Sequence, residues 1–94
     1  MPESYYAQNP DPAKQGVNID KKKYDQIFAA MVGAFRLQPS MSLKELTLAV
    51  KSQLSDSFDG SIKWYVTVIK LDMESRGQLS CNRSKSPHQL QLLI

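Results

Sequence analysis

Apolar residues in the first half of the chain recur at the spacing of an amphipathic helix. Between about Lys21 and Leu37 they fall at i, i+3, i+4, i+7 and i+11. These positions are Tyr24, Ile27, Phe28, Met31 and Phe35. Asn18 or Asp20 can accept hydrogen bonds from the free amides at the start of the segment, and Pro39 stops it. The pattern therefore predicts a first helix that ends near Leu37.

A capping box marks the start of a second helix. In Ser42-Leu43-Lys44-Glu45, the serine hydroxyl can accept a hydrogen bond from the Glu45 amide while the Glu45 carboxylate accepts one from the Ser42 amide. Apolar residues then continue at helical spacing to about Leu54, at Leu43, Leu46, Val50 and Leu54. The residues just before the helix, Ser40 to Ser42, are expected to form a short strand.

A third helix is predicted from about Ile62 to Ser75. It follows a loop in which Phe58 is the apolar anchor, Asp59-Gly60 signals a turn and Ser61 can cap the helix. Gly77 suits the left-handed residue that often ends a helix.

This third helix has two apolar faces with a polar stripe between them. The first apolar face is Ile62, Tyr65, Val66, Ile69 and Met73. The polar stripe is Lys63, Thr67, Lys70 and Glu74. The second apolar face is Trp64, Val68 and Leu71. We expect the second apolar face either to be covered within the monomer or to bind a partner, because exposed apolar patches mark interaction sites.

The last two segments alternate apolar and polar residues, which is typical of strands covered on one face. The apolar positions are Leu79 and Cys81 in the first and Leu90, Leu92 and Ile94 in the second. The basic loop between them, Arg83 to His88, contains Pro87, which suits a hairpin tip. The predicted fold class is α+β, a three-helix winged helix-turn-helix with a C-terminal two-stranded β-hairpin wing.

The start of the chain lacks such patterns. Residues 1–17 contain Pro2, Pro10 and Pro12 and no hydrophobic period, so we expect a flexible N-terminal tail followed by a winged-helix domain over residues 18–94. The apolar fraction of 41% is ordinary for a globular protein.

The positive charge is concentrated in the last third of the chain. From Ser61 to Ile94 there are five basic and two acidic residues, an excess equal to the whole formal net charge of +3. No apolar run approaches the roughly 18 residues of a membrane span, and the N-terminus lacks the features of a secretory signal. Cys81, the single cysteine, excludes an internal disulfide and fits a reducing compartment. A cytoplasmic protein is expected.

The residue types that carry catalysis are sparse. His88 is the single histidine and Cys81 the single cysteine, too few for a metal cluster, and no residue orients them as a nucleophile and its base. The four glycines are isolated, so no glycine-rich loop is available for phosphate. We therefore expect no enzymatic activity, no metal and no cofactor.

Two functions remain open, and each depends on the third helix. If the protein binds double-stranded DNA, base contacts would come from Lys63, Thr67 and Lys70. The backbone contacts would come from Arg83 and Lys85. If the domain is a protein-protein interaction or homodimerisation module, its interface would be Trp64, Val68 and Leu71, since tryptophan is a typical interface anchor.

The stretch from Phe58 to Gly77 carries a family resemblance. Its runs Phe58-Asp59-Gly60-Ser61, Trp64-Tyr65-Val66 and Lys70 to Gly77 resemble winged-helix proteins. More narrowly, they are similar to a family of small uncharacterised bacterial proteins that share an FDGS–WYV–KLD–E–RG run. The resemblance extends over about Tyr24 to Ile94 and implies a winged-helix fold but no activity. The expectation of DNA binding or transcription regulation rests instead on the predicted pairing of helix and wing and on the location of the positive charge. Gln78 departs from the aliphatic residue usual after the glycine, and the wing is only modestly basic.

Overall fold

The protein has a mixed α+β fold with three helices and two small antiparallel sheets among the residues that the structure describes. The structure, a computed structural model, describes residues 4–11, 13–54, 58 and 60–94. The helices are α1 (Lys21–Leu37), α2 (Leu43–Leu54) and α3 (Ile62–Ser75). The strands are β1 (Ser4–Ala7), β2 (Val17–Asp20), β3 (Ser40–Met41), β4 (Leu79–Asn82) and β5 (Gln89–Leu92).

Each helix begins at a side-chain cap that satisfies an otherwise free amide. Asp20 accepts a 2.9 Å hydrogen bond from the Lys22 amide, and Ser61 accepts one of 3.2 Å from the Trp64 amide. At α2, Ser42 and Glu45 exchange hydrogen bonds of 3.2 and 3.0 Å between side chain and amide. These contacts confirm the predicted helix starts and the capping box. Gly77 ends α3 with φ +73°, as predicted.

The strands after α1 confirm the predicted C-terminal hairpin and the short strand before α2. They form one antiparallel sheet in the order β3-β5-β4. Leu90 pairs with Met41 on one side and with Cys81 on the other. Its side chain is buried together with that of Leu79, so this sheet covers one end of the helical core.

The predicted flexible tail is wrong for the residues that the structure describes. Strand β1 pairs with β2 in a second antiparallel sheet, in which Tyr5 lies opposite Ile19. Ala7 and Ile19 are 1% and 5% exposed, so the hairpin buries apolar surface that a free tail would leave in water. The β structure is thus not confined to the C-terminus. Predictions about residues 1–3, 12, 55–57 and 59 lie outside the described residues.

The core lies where the three helices meet. Some of its apolar side chains from the helices have no solvent exposure: Ile27, Met31, Leu46, Val50, Val66, Ile69 and Met73. They come from the predicted apolar stripes, since core residues of a helix share one face. In the described part of the chain, no helix has the length and hydropathy needed to cross a membrane.

Candidate functional site

The polar stripe of α3 does not present its charges uniformly to solvent. Lys70 forms an ion pair with Glu74, with 3.3 Å between Nζ and Oε1, and the two side chains are only 15% and 10% exposed. The Thr67 hydroxyl donates to the Lys63 carbonyl oxygen at 2.9 Å. Lys63 is therefore the cation of this stripe that extends outward.

The second apolar face of α3 is covered in part. Trp64 is 45% exposed, and its ring contacts the Tyr65 ring edge-on with 4.9 Å between centroids. Val68 is half-buried and packs against the core. Leu71 is also half-buried and lies in a cleft beside the N-terminal hairpin. Only Trp64 of the three remains largely open to a partner.

A groove beside α2 brings Lys63 close to two lysines that the sequence analysis did not select. Its volume is about 430 Å³, and its lining is Leu43, Lys44, Thr47, Leu48, Lys51 and Lys63. We call it the α2 groove. The spacing of Lys44, Leu48 and Lys51 is i, i+4 and i+7, which places them on one face of the helix. That spacing is the signal that could have identified these lysines from the sequence.

The α2 groove continues into two neighbouring cavities. At the start of α3, Lys51 and Lys63 also line a cavity of about 310 Å³ with Gly60, Ser61 and Ile62. Towards the β4–β5 loop, Leu43 and Lys44 line a cavity of about 450 Å³. Its other walls are Ser42, Ser86, Pro87 and His88. None of the described residues that line these three cavities is acidic, and Lys44, Lys51 and Lys63 contribute positive charge to the linings.

The β4–β5 loop carries the two cations that were predicted to contact the DNA backbone, and they lie in different surroundings. Lys85 is exposed in the loop. Arg83 lines a different cleft of about 400 Å³ together with Leu71 and residues of the β1–β2 loop, which are Asn9, Pro10, Asp11 and Lys14. We call this the hairpin cleft. Arg83 is thus brought next to Leu71 of the proposed interface and to Lys14, which sequence reasoning missed.

A family model matches residues 6–90, which is most of the chain. The chain belongs to DUF6958, a family of unknown function. The match fits the resemblance to an uncharacterised family and carries no evidence for a winged helix. No curated protein matches this DUF6958 chain. No solved structure matches it either.

In this DUF6958 protein the N-terminal hairpin is attached to α3 by a buried carboxylate, Asp72. The Asp72 side chain has no solvent exposure. It accepts hydrogen bonds from the hydroxyls of Tyr5 and Tyr24, both at 3.0 Å, and from the Gln8 amide at 2.8 Å. Arg76 Nε donates to it at 3.0 Å. Sequence reasoning missed this network, because Tyr5, Gln8 and Tyr24 lie 67, 64 and 48 residues from Asp72 and form no local pattern with it.

The same network changes the acidity of its tyrosines. Burial raises the pKa of the Tyr24 hydroxyl, and its hydrogen bonds to Tyr5 and Asp72 raise it further. Burial is also the main cause of the raised pKa of Tyr5. Both hydroxyls therefore remain protonated donors to Asp72 at neutral pH, which suits a structural role. Among the described residues, no group of three or more His, Cys, Asp or Glu side chains could hold a metal ion.

Proposed function

We propose that the chain is a winged-helix DNA-binding protein without a catalytic step. The order α1, β3, α2, α3, β4, β5 and the strand order β3-β5-β4 support this proposal. In it, α2 and α3 are the helix-turn-helix, and the β4–β5 hairpin is the wing. The N-terminal hairpin is an addition to that arrangement.

The continuous basic surface along α2 and the start of α3 carries the proposal. In helix-turn-helix proteins the first helix crosses the DNA backbone, and the N-terminal residues of the second helix reach base edges. Lys44 and Lys51 on α2 would then bind phosphates, while Lys63 and Trp64 at the start of α3 would face the major groove. Lys85 would add a wing contact. Lys70 contributes only if its ion pair with Glu74 opens.

A salt titration tests the proposal. The affinity of the protein for a labelled mixed-sequence duplex is measured by fluorescence anisotropy, first at low salt and then at rising salt. We expect log K to fall linearly with log salt, with a slope of roughly −0.9 for each phosphate contact. The double variant Lys44→Ala/Lys51→Ala should reduce the magnitude of this slope by about two.

Lys22→Ala is the control, because Lys22 is an exposed lysine that does not line the α2 groove. It should leave the slope near that of the wild type. A folded wild-type protein that does not bind the duplex at low salt would refute DNA binding.

A second candidate function, a protein-interaction or dimerisation module, is favoured by the exposure of Trp64. Leu48 on the neighbouring helix is also open to solvent, at 56% exposed against 45% for Trp64. Large apolar side chains at such exposure commonly anchor interfaces. If the wild type sediments as a dimer and Trp64→Ala as a monomer, self-association is supported. If both are monomers, self-association is excluded.

A further inference from the structure

The hairpin cleft brings together two cations from distant parts of the chain and an apolar residue. Lys14 comes from the β1–β2 loop, Arg83 from the β4–β5 loop and Leu71 from α3. Lys14 and Arg83 are exposed, and neither forms an ion pair with another described residue. Asp11 is the acidic member of the lining, so the described titratable groups of the cleft sum to one positive charge.

Hydrogen bonds within the two loops fix the backbone that carries these cations. The Asn9 side chain accepts from the Asp11 amide at 2.9 Å, and Asp11 Oδ1 accepts from the Ala13 amide at 2.9 Å. The Lys14 amide donates to the Asp11 carbonyl oxygen at 3.0 Å. In the β4–β5 loop, Asn82 Oδ1 accepts a hydrogen bond of 3.1 Å from the Ser84 amide. Arg83 lies between these two residues.

The β1–β2 loop is also anchored to α3. The Gln8 amide donates to the buried Asp72 carboxylate, and Gln8 Oε1 accepts from the Ser75 hydroxyl at 3.1 Å. The loop that bears Lys14 therefore starts from a residue attached to the last turns of the helix. A charge on such a loop needs less ordering when it binds than a charge on a free tail.

We propose that the β1–β2 loop is a second DNA-contacting arm, in which Lys14 acts with Arg83 to bind backbone phosphate. This rests on the proposed DNA-binding function. A helix in the major groove has a phosphate backbone on each side of it. The lysines of the α2 groove would contact one strand near the start of α3, and the hairpin cleft would contact the other near its end. Leu71 gives the cleft an apolar floor for the sugar.

Single and double alanine variants test the arm in the same salt titration. Lys14→Ala and Arg83→Ala should each reduce the magnitude of the salt slope by about one, and the double variant by about two. Lys22→Ala, which removes an exposed lysine outside the cleft, should leave the slope unchanged. Thermal melts check that each variant folds, which is expected because both side chains are exposed.

A variant that should strengthen DNA binding provides a further test of the arm. Asp11→Asn keeps the oxygen that accepts from the Ala13 amide and removes the negative charge from the cleft. It should tighten DNA binding several-fold at low salt. Asp20→Asn is the matched control, because it removes a charge outside the cleft, and asparagine caps a helix as well as aspartate does.

The failure of the arm can be told apart from the failure of DNA binding. If the wild type binds DNA and the Lys44→Ala/Lys51→Ala variant lowers the slope, but Lys14→Ala and Arg83→Ala match the wild type, the arm is refuted and DNA binding stands. If the folded wild type does not bind the duplex at low salt, both are refuted.

Discussion

At the scale of single residues, the burial of Asp72 is the feature least expected from the sequence. It lies between the apolar residues Leu71 and Met73 and belongs to none of the three faces assigned to α3 from the helical spacing, yet its carboxylate is fully buried. An isolated buried charge costs several kcal/mol. Two tyrosine hydroxyls, a backbone amide and the Arg76 guanidinium offset that cost by donating to it. The carboxylate thereby connects β1, α1 and α3.

Replacing this carboxylate should be far more costly than removing one of its donors. Asp72→Asn places an amide donor against groups that already donate, and it removes the partner of Arg76. Hydrogen bonds to a charged group contribute about 1.5–3 kcal/mol each, and a buried donor left without an acceptor costs about 1–3 kcal/mol, so we expect a loss of about 3–5 kcal/mol in the free energy of unfolding, measured with urea. Tyr5→Phe, which leaves the other donors in place, should cost only about 1 kcal/mol.

Tyr65→Phe is the control for this comparison, because the Tyr65 hydroxyl has no hydrogen bond among the described residues. It should leave the free energy of unfolding nearly unchanged. Equal losses for Asp72→Asn and Tyr5→Phe would show that the carboxylate does not organise the network.

At the scale of elements, the sequence predicts those whose signals are local. The helix starts are predictable because the capping residues Asp20, Ser42 and Ser61 lie within three residues of the amides they serve. The β1–β2 hairpin carries no such signal, since its strands are separated by a long loop rich in proline and polar residues. Its contacts with the rest of the domain are tertiary, namely the hydrogen bonds of Tyr5 and Gln8 to Asp72 and the burial of Ala7 in the core, and no periodicity reveals them.

In the candidate site, too, the features with a local signal can be predicted from the sequence, and those that depend on tertiary contacts cannot. Lys63 is exposed, as expected of a residue on the polar stripe, whereas the exposure of Trp64 was left open by the helical spacing. The i, i+4 spacing of Lys70 and Glu74 allows an ion pair, but it does not show that both side chains are largely buried. Lys14 and Arg83 meet only because two loops fold towards α3. Local patterns therefore predicted individual residues of the surface but not the clefts that group them.

At the scale of the whole molecule, the N-terminal hairpin is part of the domain. Strand β1 supplies Ala7 to the core, covers the side of α3 that bears Asp72, and precedes the loop that carries Lys14. Tyr5 also stacks on Tyr24 of α1, with 4.0 Å between ring centroids. A domain that began at Asn18 would lack all of these contacts.

A shortened chain of residues 18–94 should therefore be much less stable than the full chain. It loses the Tyr5 hydroxyl and the Gln8 amide as donors to Asp72 and exposes Ile19 and Tyr24 to water. We expect a loss of at least about 3 kcal/mol in the free energy of unfolding, measured with urea on both chains. The shortened chain also lacks Lys14, so its stability and its DNA affinity must be measured separately.

A double-mutant cycle identifies the cause of that loss. If the hairpin stabilises the protein through the carboxylate, Asp72→Asn should cost clearly less in the shortened chain than in the full chain, because half of the donors are already absent. A shortened chain as stable as the full one would instead support the flexible tail expected from the sequence. Equal costs of Asp72→Asn in the two chains would assign the contribution of the hairpin to apolar burial by Ala7 and Ile19, independent of Asp72.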